Sequence, residues 1–182
     1  TVVSATQIDA TVPSGASTGL ISVTTPDGTD FSATNFSVEP DVTSFTPSNG
    51  EVTDPITING TGFTGATSVL FNGVSASFTV NSDIDISATV PNTATTGTVS
   101  VTTPSGTGIS SSNFTIQATI SSFTPASGIV GTSVTITGTA FTGASAVAFN
   151  GVNASYTVNS YSQITATVPT SATTGTITVT TA

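Results

Sequence analysis

Few kinds of side chain in this 182-residue sequence could take part in catalysis. It contains nine Asp and Glu residues, two Tyr, and no Lys, Arg, His or Cys, while Ser and Thr supply more than a third of it. A serine nucleophile would have no imidazole or amine to activate it. Paired carboxylates, as used in glycoside hydrolysis, are therefore the one catalytic arrangement left to consider.

One pair of carboxylates suited to that chemistry is Asp83 and Asp85, which flank Ile84 at the approach to a predicted strand. Side chains two residues apart on a strand point to the same face. However, the corresponding positions of an internal repeat, described below, hold Tyr161 and Gln163. We therefore interpret the pair as a solvated strand edge and predict that the chain has no catalytic residues and is not an enzyme.

A second arrangement of acidic residues could hold a cation. Calcium takes oxygen ligands, and four carboxylates lie close together in the sequence at Glu39, Asp41, Glu51 and Asp54. The corresponding positions one repeat later are neutral: Gln117, Thr119, Ile129 and Thr132. We therefore expect no recurring metal site and no cofactor, with calcium at this single cluster as the alternative.

The aromatic residues could be interpreted as a platform for sugar rings, but their alternation with polar residues favours a hydrophobic core. This prediction covers Phe45, Phe63, Phe71, Phe114, Phe123, Phe141 and Phe149. Tyrosine is amphipathic, so Tyr156 and Tyr161 are better candidates for sugar contact. Tyr156 corresponds to Phe78 in the repeat and is expected to be packed.

The charge composition excludes several classes of partner. Nucleic-acid binding depends on Lys and Arg at the phosphates, and anionic membranes attract the same residues, so both partners are excluded. Without cysteine there is no disulfide framework. No apolar run approaches the ~20 residues needed to span a bilayer, so no membrane insertion is expected in this segment.

The elements that position these residues repeat along the chain. Ser44–Pro47 recurs as Ser122–Pro125, and Phe71–Val74 recurs as Phe149–Val152, each 78 residues later. The same offset predicts three segments: the C-terminal part of a repeat at residues 1–39, a complete repeat at 40–117, and a repeat lacking its last strand at 118–182. Because both ends then fall inside a repeat, we expect a segment of a longer array.

Each repeat alternates apolar and polar residues in short runs broken by Gly, Pro and Asn, which indicates strands. Predicted strands in the complete repeat are Val42–Phe45, Ile56–Asn59, Ser68–Phe71, Ser75–Val80, Ile84–Val90, Gly97–Thr103 and Ser111–Ile116. Asn72-Gly73 suits a type I′ hairpin turn. Seven short strands in fewer than eighty residues predict an all-β fold of tandem immunoglobulin-like sandwiches.

The order of these elements resembles the IPT/TIG family of immunoglobulin-like domains. The resemblance rests on the segments Ser44–Gly50, Thr57–Phe63, Val69–Gly73, Ile86–Pro91 and Gly97–Val101, and on their second copies. Ala140 replaces the glycine found at Gly62 in the first copy. The resemblance implies a scaffold used in receptor ectodomains, transcription factors, glycan-active enzymes and bacterial surface proteins, and it implies no single activity.

Two functions from different classes fit these observations. The first is a structural, non-catalytic segment of an extracellular microbial surface fibre, stalk or adhesin, in which each repeat contacts its neighbours and identical chains could assemble into filaments. Linkers of about three residues at Glu39–Asp41 and Gln117–Thr119 would couple the repeats stiffly. The alternative is an accessory carbohydrate-binding module of a larger secreted or cell-surface protein, with glycans as partners.

Overall fold

A computed structural model describes residues 1–13 and 15–181 of the chain, so Ala182, the last residue of the predicted third segment, lies outside the described residues. Every regular element in the described part is a β-strand. No helix among these residues is long and apolar enough to cross a membrane. We call residues 1–39, 40–117 and 118–181 the first, middle and third repeats.

The first repeat contributes two hairpins. Its strands are β1 (Val2–Ser4), β2 (Gln7–Ile8), β3 (Gly19–Thr25) and β4 (Gly28–Phe36). β1 pairs with β2, and β3 pairs with β4, each as an antiparallel two-stranded sheet. Nearly every residue of β3 and β4 is exposed. A two-stranded hairpin without a covered face is marginally stable.

The middle repeat is a sandwich of two sheets. Its strands are β5 (Asp41–Thr46), β6 (Asn49–Gly50), β7 (Pro55–Thr61), β8 (Ser68–Phe71), β9 (Val74–Ser75), β10 (Ser77–Ser82), β11 (Asp85–Thr89), β12 (Gly97–Thr103) and β13 (Gly106–Ile116). One sheet has the order β10-β11-β7-β5 and the other β6-β13-β12-β8-β9. The predicted immunoglobulin-like architecture is confirmed.

The inward-facing side chains of both sheets form one core, because successive residues of a strand alternate between its two faces. In β7 and β11 the buried residues are Ile56, Ile58, Ile86 and Ala88. Phe114 of β13 reaches across from the second sheet, and its ring lies 5.7 Å from Phe45 and 5.4 Å from Phe71, edge-on to both. The contact between Phe114 and Phe45 joins the two sheets, whereas Phe71 lies in the same sheet as Phe114.

The hairpin turn predicted at Asn72-Gly73 is also confirmed. Phe71 pairs with Val74, which leaves two residues in the loop. Asn72 has φ +45° and Gly73 has φ +84°, the left-handed values that a type I′ turn requires. Asn72 also donates a 2.8 Å hydrogen bond to Thr95, which ties the turn to the segment before β12.

The third repeat has the same order of elements up to its last strand, except that no strand of its described residues corresponds to β6. They are β14 (Thr119–Thr124), β15 (Ser133–Thr139), β16 (Ala144–Phe149), β17 (Val152–Asn153), β18 (Tyr156–Ser160), β19 (Gln163–Thr167) and β20 (Ile177–Thr181). The sheets have the orders β14-β15-β19-β18 and β17-β16-β20. Up to residue 181, no strand occupies the position that β13 has in the middle repeat.

The prediction that all seven phenylalanines belong to the core is wrong for two residues of the third repeat. Phe123 is 42% exposed, whereas Phe45, its counterpart in the middle repeat, is 7% exposed. Phe149 is only partly buried, whereas Phe71 is fully buried. Phe45 and Phe71 are covered by Phe114, and the described third repeat has no residue at that position. The other five predicted core phenylalanines are buried.

Candidate functional site

The two carboxylates considered for catalysis, Asp83 and Asp85, lie in different environments. The Asp83 carboxylate accepts hydrogen bonds from the Gly62 N–H at 3.2 Å, the Thr64 N–H at 3.1 Å and the Thr64 hydroxyl at 2.7 Å. It thereby closes the loop between β7 and β8. Asp85 lies in β11, half-buried, and its Oδ1 has no hydrogen-bond partner. The two side chains therefore have separate surroundings, and Asp83 has a structural role.

The hydrogen bonds to Asp83 affect its acidity. The Thr64 hydroxyl, followed by the backbone N–H groups of Thr64 and Gly62, stabilises the ionised carboxylate and lowers the pKa of Asp83, while partial burial opposes this effect. A general acid at neutral pH needs the opposite shift. The environment of Asp83 therefore suits a loop clamp that is ionised at neutral pH.

The four carboxylates considered for calcium have different neighbours. Asp54 accepts a 2.8 Å hydrogen bond from the Glu51 N–H and so closes its own loop. Asp41 begins β5. Glu39 lies against β13, where a side chain at Gly106 would meet its Cγ at 3.1 Å. In the part of the chain that the structure describes, no three acidic side chains are grouped to hold a metal ion.

The two tyrosines have different functions in the fold. Tyr156 packs against the core of the third repeat and donates a 2.9 Å hydrogen bond to the Ala144 carbonyl of the same repeat. Tyr161 instead packs against the core of the middle repeat and donates a 3.2 Å hydrogen bond to the Ala94 carbonyl there. Tyr161 therefore joins two repeats, a role that the sequence did not predict.

Partial burial of Tyr161 changes its acidity. Desolvation raises the pKa of Tyr161, and a hydrogen bond with the Ala140 backbone acts in the opposite direction. The neutral phenol, which can donate to Ala94, is therefore retained well above neutral pH. The hydrogen bond from Tyr161 to Ala94 across the junction requires this protonated phenol.

Ala140 is the second residue that seals this junction. It is 7% exposed and belongs to the core cluster of the middle repeat, although it lies in the third repeat. Its φ is +60°, a value that L side chains adopt with strain, and the corresponding Gly62 has φ +71°. The methyl group therefore occupies a strained position where it packs across the junction.

A cleft of about 520 Å³ lies beside these contacts. It is formed between the middle and third repeats, and its lining is uncharged: Ala94, Thr95, Thr96, Asn113, Ile116, Ala140, Thr142, Gly143 and Thr181. Hydroxyl and amide groups can exchange hydrogen bonds with a neutral polar ligand. The cleft therefore offers binding chemistry but no group that titrates near neutral pH.

A signal for the junction was present in the sequence. Asp83 and Tyr161 occupy corresponding positions in two otherwise similar repeats, and so do Gly62 and Ala140. Each exchange replaces a small or loop-closing residue by one that reaches the neighbouring repeat. The exchanges are visible in the sequence, but only the structure shows that both residues reach the neighbouring repeat.

Comparison with known proteins identifies one matching family and several similar structures. The family described as "IPT/TIG domain" matches residues 40–118 and 118–182. A search of curated proteins gives no significant match. Similar solved structures include a surface glycan-binding protein of Prevotella bryantii, with 18% identity and a TM-score of 0.48, covering 79% of this chain and 40% of that one.

Two further structures are comparable in similarity. An auxiliary nutrient binding protein of Bacteroides ovatus has 20% identity and a TM-score of 0.41, covering 46% of this chain and 22% of its own. The plexin A4 extracellular region has 25% identity and a TM-score of 0.37, covering 72% of this chain and 15% of its own. The chain spans about a fifth of the length of the first structures that it matches.

Proposed function

The chain belongs to the IPT/TIG domain family, and from its geometry we propose that it is a structural, non-catalytic repeat segment of an extracellular microbial surface fibre, stalk or adhesin. Membership of this family defines a fold and leaves the activity open. The proposal therefore depends on how the repeats are joined. Its surface setting is proposed by analogy with Ser- and Thr-rich arrays of low charge.

The observation that carries the proposal is the sealed junction between the middle and third repeats. Tyr161 and Ala140 extend the core of one repeat into the next, and Tyr161 adds a hydrogen bond across the boundary. The linker between β13 and β14 is only Gln117 and Ala118. A short linker and a packed contact together restrict bending. These features support a stiff spacer.

Small-angle X-ray scattering of the chain tests this function. We expect the chain to scatter as one extended particle with a narrow distribution of angles between the middle and third repeats. Tyr161→Asp, which installs the residue found at position 83, should broaden that distribution because the carboxylate cannot donate to Ala94. A chain whose scattering requires a broad distribution of angles would contradict the stiff spacer.

The cleft at the same junction favours one alternative, an accessory carbohydrate-binding module. Its Asn113 and Thr142 side chains are uncharged and line the cleft, as neutral oligosaccharide recognition would require. A glycan array or a polysaccharide pull-down distinguishes the two functions. Binding that is lost in both Asn113→Ala and Thr142→Ala would support the module, and a blank array would support the spacer.

A further inference from the structure

Four asparagines in this chain begin the tripeptide Asn-x-Ser/Thr, the acceptor pattern for N-linked sugars. They are Asn35, Asn59, Asn113 and Asn153, followed by Phe-Ser, Gly-Thr, Phe-Thr and Ala-Ser respectively. In a chain so rich in Ser and Thr, such tripeptides also arise by chance. The surroundings of each asparagine in the fold therefore decide which of the four can carry a sugar.

The side-chain amides of other asparagines are used inside the fold. Four of them donate hydrogen bonds of 2.7–2.8 Å to hydroxyl groups and thereby hold turns and strand edges: Asn72, Asn81, Asn150 and Asn159. None of these four begins the acceptor tripeptide. Among the residues that the structure describes, no side-chain amide of the four acceptor asparagines donates a hydrogen bond. These amides are therefore free for a covalent bond.

Asn113 lies on the outer face of the complete sandwich. It belongs to β13 and pairs with Thr98 of β12, while the next residue, Phe114, is 1% exposed in the core. Since side chains two residues apart on a strand share a face, the exposed Asn113 and the Thr115 hydroxyl both point away from the core. β12 and β13 contain no charged residue. The amide and the hydroxyl of the acceptor tripeptide are therefore presented together on a neutral surface.

Asn35 occupies the same position one repeat earlier. It pairs with Leu20 of β3, the counterpart of Thr98, and it is also exposed. Asn113 shows that the complete sandwich leaves this position uncovered. Asn35 shows the same for the repeat that follows, whose turn at residues 104–106 reaches the first repeat through a 3.2 Å contact between the Ser105 and Thr18 hydroxyls. The position is therefore open on both sides within an array.

Asn59 has different surroundings. It lies half-buried in the inner strand β7, paired with Asp85 on one side and with Ser44 on the other. The next peptide N–H, that of Gly60, donates to the Ile84 carbonyl at 3.1 Å. Directly paired residues are close neighbours on one face, so a sugar on Asn59 would crowd the Asp85 side chain. The fold therefore excludes Asn59 as an acceptor and makes it the internal negative control.

Asn153 is exposed, but its acceptor tripeptide does not recur. It lies in β17, a two-residue edge strand, and its counterpart in the middle repeat is Ser75. A sugar on Asn153 is compatible with the fold. It would not mark a position that successive repeats share.

We propose that Asn35 and Asn113 are acceptor sites for N-linked glycans, which places a sugar chain at the same position in successive repeats. The asparagine Nδ2 forms a bond to the anomeric carbon of a lipid-linked sugar pyrophosphate. The bond from that carbon to the pyrophosphate oxygen breaks, and a base of the transferase takes up the amide proton. The transferase and the sugar donor belong to the secretory machinery of the cell, so this inference rests on the extracellular setting of the proposed function.

A sugar on Asn113 would lie beside the junction between the middle and third repeats. Asn113 lines the cleft there, and β13 leads directly into the linker of Gln117 and Ala118. Once its amide carries a sugar, it is no longer available to a free ligand. The inference therefore favours the structural function over the carbohydrate-binding alternative.

Peptide mapping of the chain purified from the cells that produce it tests the proposal. Peptide-N-glycosidase in water enriched in heavy oxygen converts each occupied asparagine to a labelled aspartate. Because the chain has no Lys or Arg, chymotrypsin replaces trypsin for the digestion. We expect label at Asn35 and Asn113 and none at Asn59. An unlabelled Asn113, or label at Asn59 equal to that at Asn113, overturns the proposal.

Variants secreted from a host that glycosylates Asn-x-Ser/Thr test the role of the hydroxyl. Asn113→Gln and Thr115→Ala should each remove the mass of one glycan, whereas Thr115→Ser should keep it. Asn92→Gln is the matched control, because Asn92 is exposed but does not begin the acceptor tripeptide. Thermal melts after enzymatic removal of the sugars check that each variant folds. A glycan that persists at Asn113 in the Thr115→Ala chain, or one that is lost from the Asn92→Gln chain, contradicts the proposal.

Scattering separates this inference from the proposed function. A chain that carries no glycan and still scatters as a stiff rod overturns the inference and leaves the spacer function standing. A chain that is glycosylated at Asn35 and Asn113 but has a broad distribution of angles between the middle and third repeats does the reverse. The acceptor sites are then supported, and the spacer function fails.

Discussion

At the scale of single residues, corresponding positions of the repeats hold different side chains on similar backbone conformations. The loop after β7 is closed by the Asp83 carboxylate, and the corresponding loop in the third repeat contacts Tyr161. Thr53 has φ +73° where Gly131 has φ +88°. A threonine at such a φ is strained. Corresponding positions therefore allow the effect of each residue on the free energy of unfolding to be compared within one chain.

Gly73→Val tests the backbone strain predicted for the β8–β9 turn. A Cβ atom at Gly73 would meet nothing within 4 Å, so the effect comes from φ +84° alone. We expect a loss of about 1–3 kcal/mol in the free energy of unfolding, measured by urea denaturation. Gly143→Ala is the control, because that position is equally open and has no positive φ. Equal stability of the two variants would contradict the turn assignment.

Asp83→Asn tests the loop clamp through its pH dependence. The lowered pKa of Asp83 means that the folded chain binds the proton more weakly than the unfolded chain. Its contribution to stability is therefore present above the unfolded pKa, about 4, and is lost as pH falls through the lower folded value. We expect Asp83→Asn to be less stable at neutral pH, with a difference that shrinks below about pH 4.

The partner of this carboxylate provides the control. Thr64→Val removes the hydroxyl that lowers the pKa of Asp83 most. Because the two residues form one interaction, their effects on the free energy of unfolding should not add in the double variant. Additive effects in thermal melts would show that the hydrogen bond contributes little.

At the scale of elements, a threonine hydroxyl holds the end of each last strand. Thr96 accepts from the Ile116 N–H in the middle repeat, and Thr18 accepts from the Val38 N–H in the first repeat. The linker then passes close to the next repeat, where Pro40 is buried and a side chain at Gly108 would overlap its carbonyl. The threonine hydrogen bond and the close approach of Pro40 to Gly108 together fix where the next repeat begins.

Alkaline pH is expected to loosen the junction between the middle and third repeats. The neutral Tyr161 phenol donates to Ala94, and burial raises its pKa above the ordinary value near 10. Its contribution to stability is therefore present below pH 10 and is lost as pH rises through the folded value. Scattering at pH 8 and pH 11 should show a wider range of angles between the repeats at the higher pH.

Two tyrosine variants separate the junction from the fold. Tyr161→Phe removes the donor to Ala94 and should widen the range of angles at pH 8. Tyr156→Phe also removes one hydrogen bond, but that bond lies within the third repeat. It should lower the stability of the third repeat without changing the angle. A widening in both variants would mean that the junction depends on the whole third repeat.

At the scale of the whole molecule, nine carboxylates face no Lys, Arg or His. Several of them act as hydrogen-bond acceptors for loops, as Asp54 does for Glu51 and Asp83 for Thr64. The formal charge of −9 keeps neighbouring chains apart at low salt.

A chelator tests the calcium alternative. We expect the melting temperature at neutral pH to be the same with and without EDTA, because Asp54 accepts from the Glu51 N–H and no three acidic side chains of the described residues are grouped to hold a metal ion. Added calcium should likewise have no effect beyond its ionic strength. A melting temperature that falls with EDTA and recovers with calcium would instead assign a structural cation to the cluster of Glu39, Asp41, Glu51 and Asp54.

Local patterns were sufficient to predict the fold and its turns. Alternating residues such as those of Ile56–Asn59 predict strands because side chains on a strand point alternately to its two faces. Asn72-Gly73 predicts its turn because few other residues accept positive φ at both positions. The β13 strand, Gly106–Ile116, is longer than predicted, because glycine and serine hide its first half from a hydrophobicity pattern.

The junction and the burial of individual phenylalanines were decided by tertiary structure. The sequence shows that Tyr161 replaces Asp83, but whether a phenol reaches Ala94 depends on how two repeats are oriented. It likewise shows that Phe123 matches Phe45, but Phe45 is buried only because Phe114 arrives from a strand about 70 residues away. Burial is a property of contacts between distant segments, so a local pattern identifies the candidates and the fold selects among them.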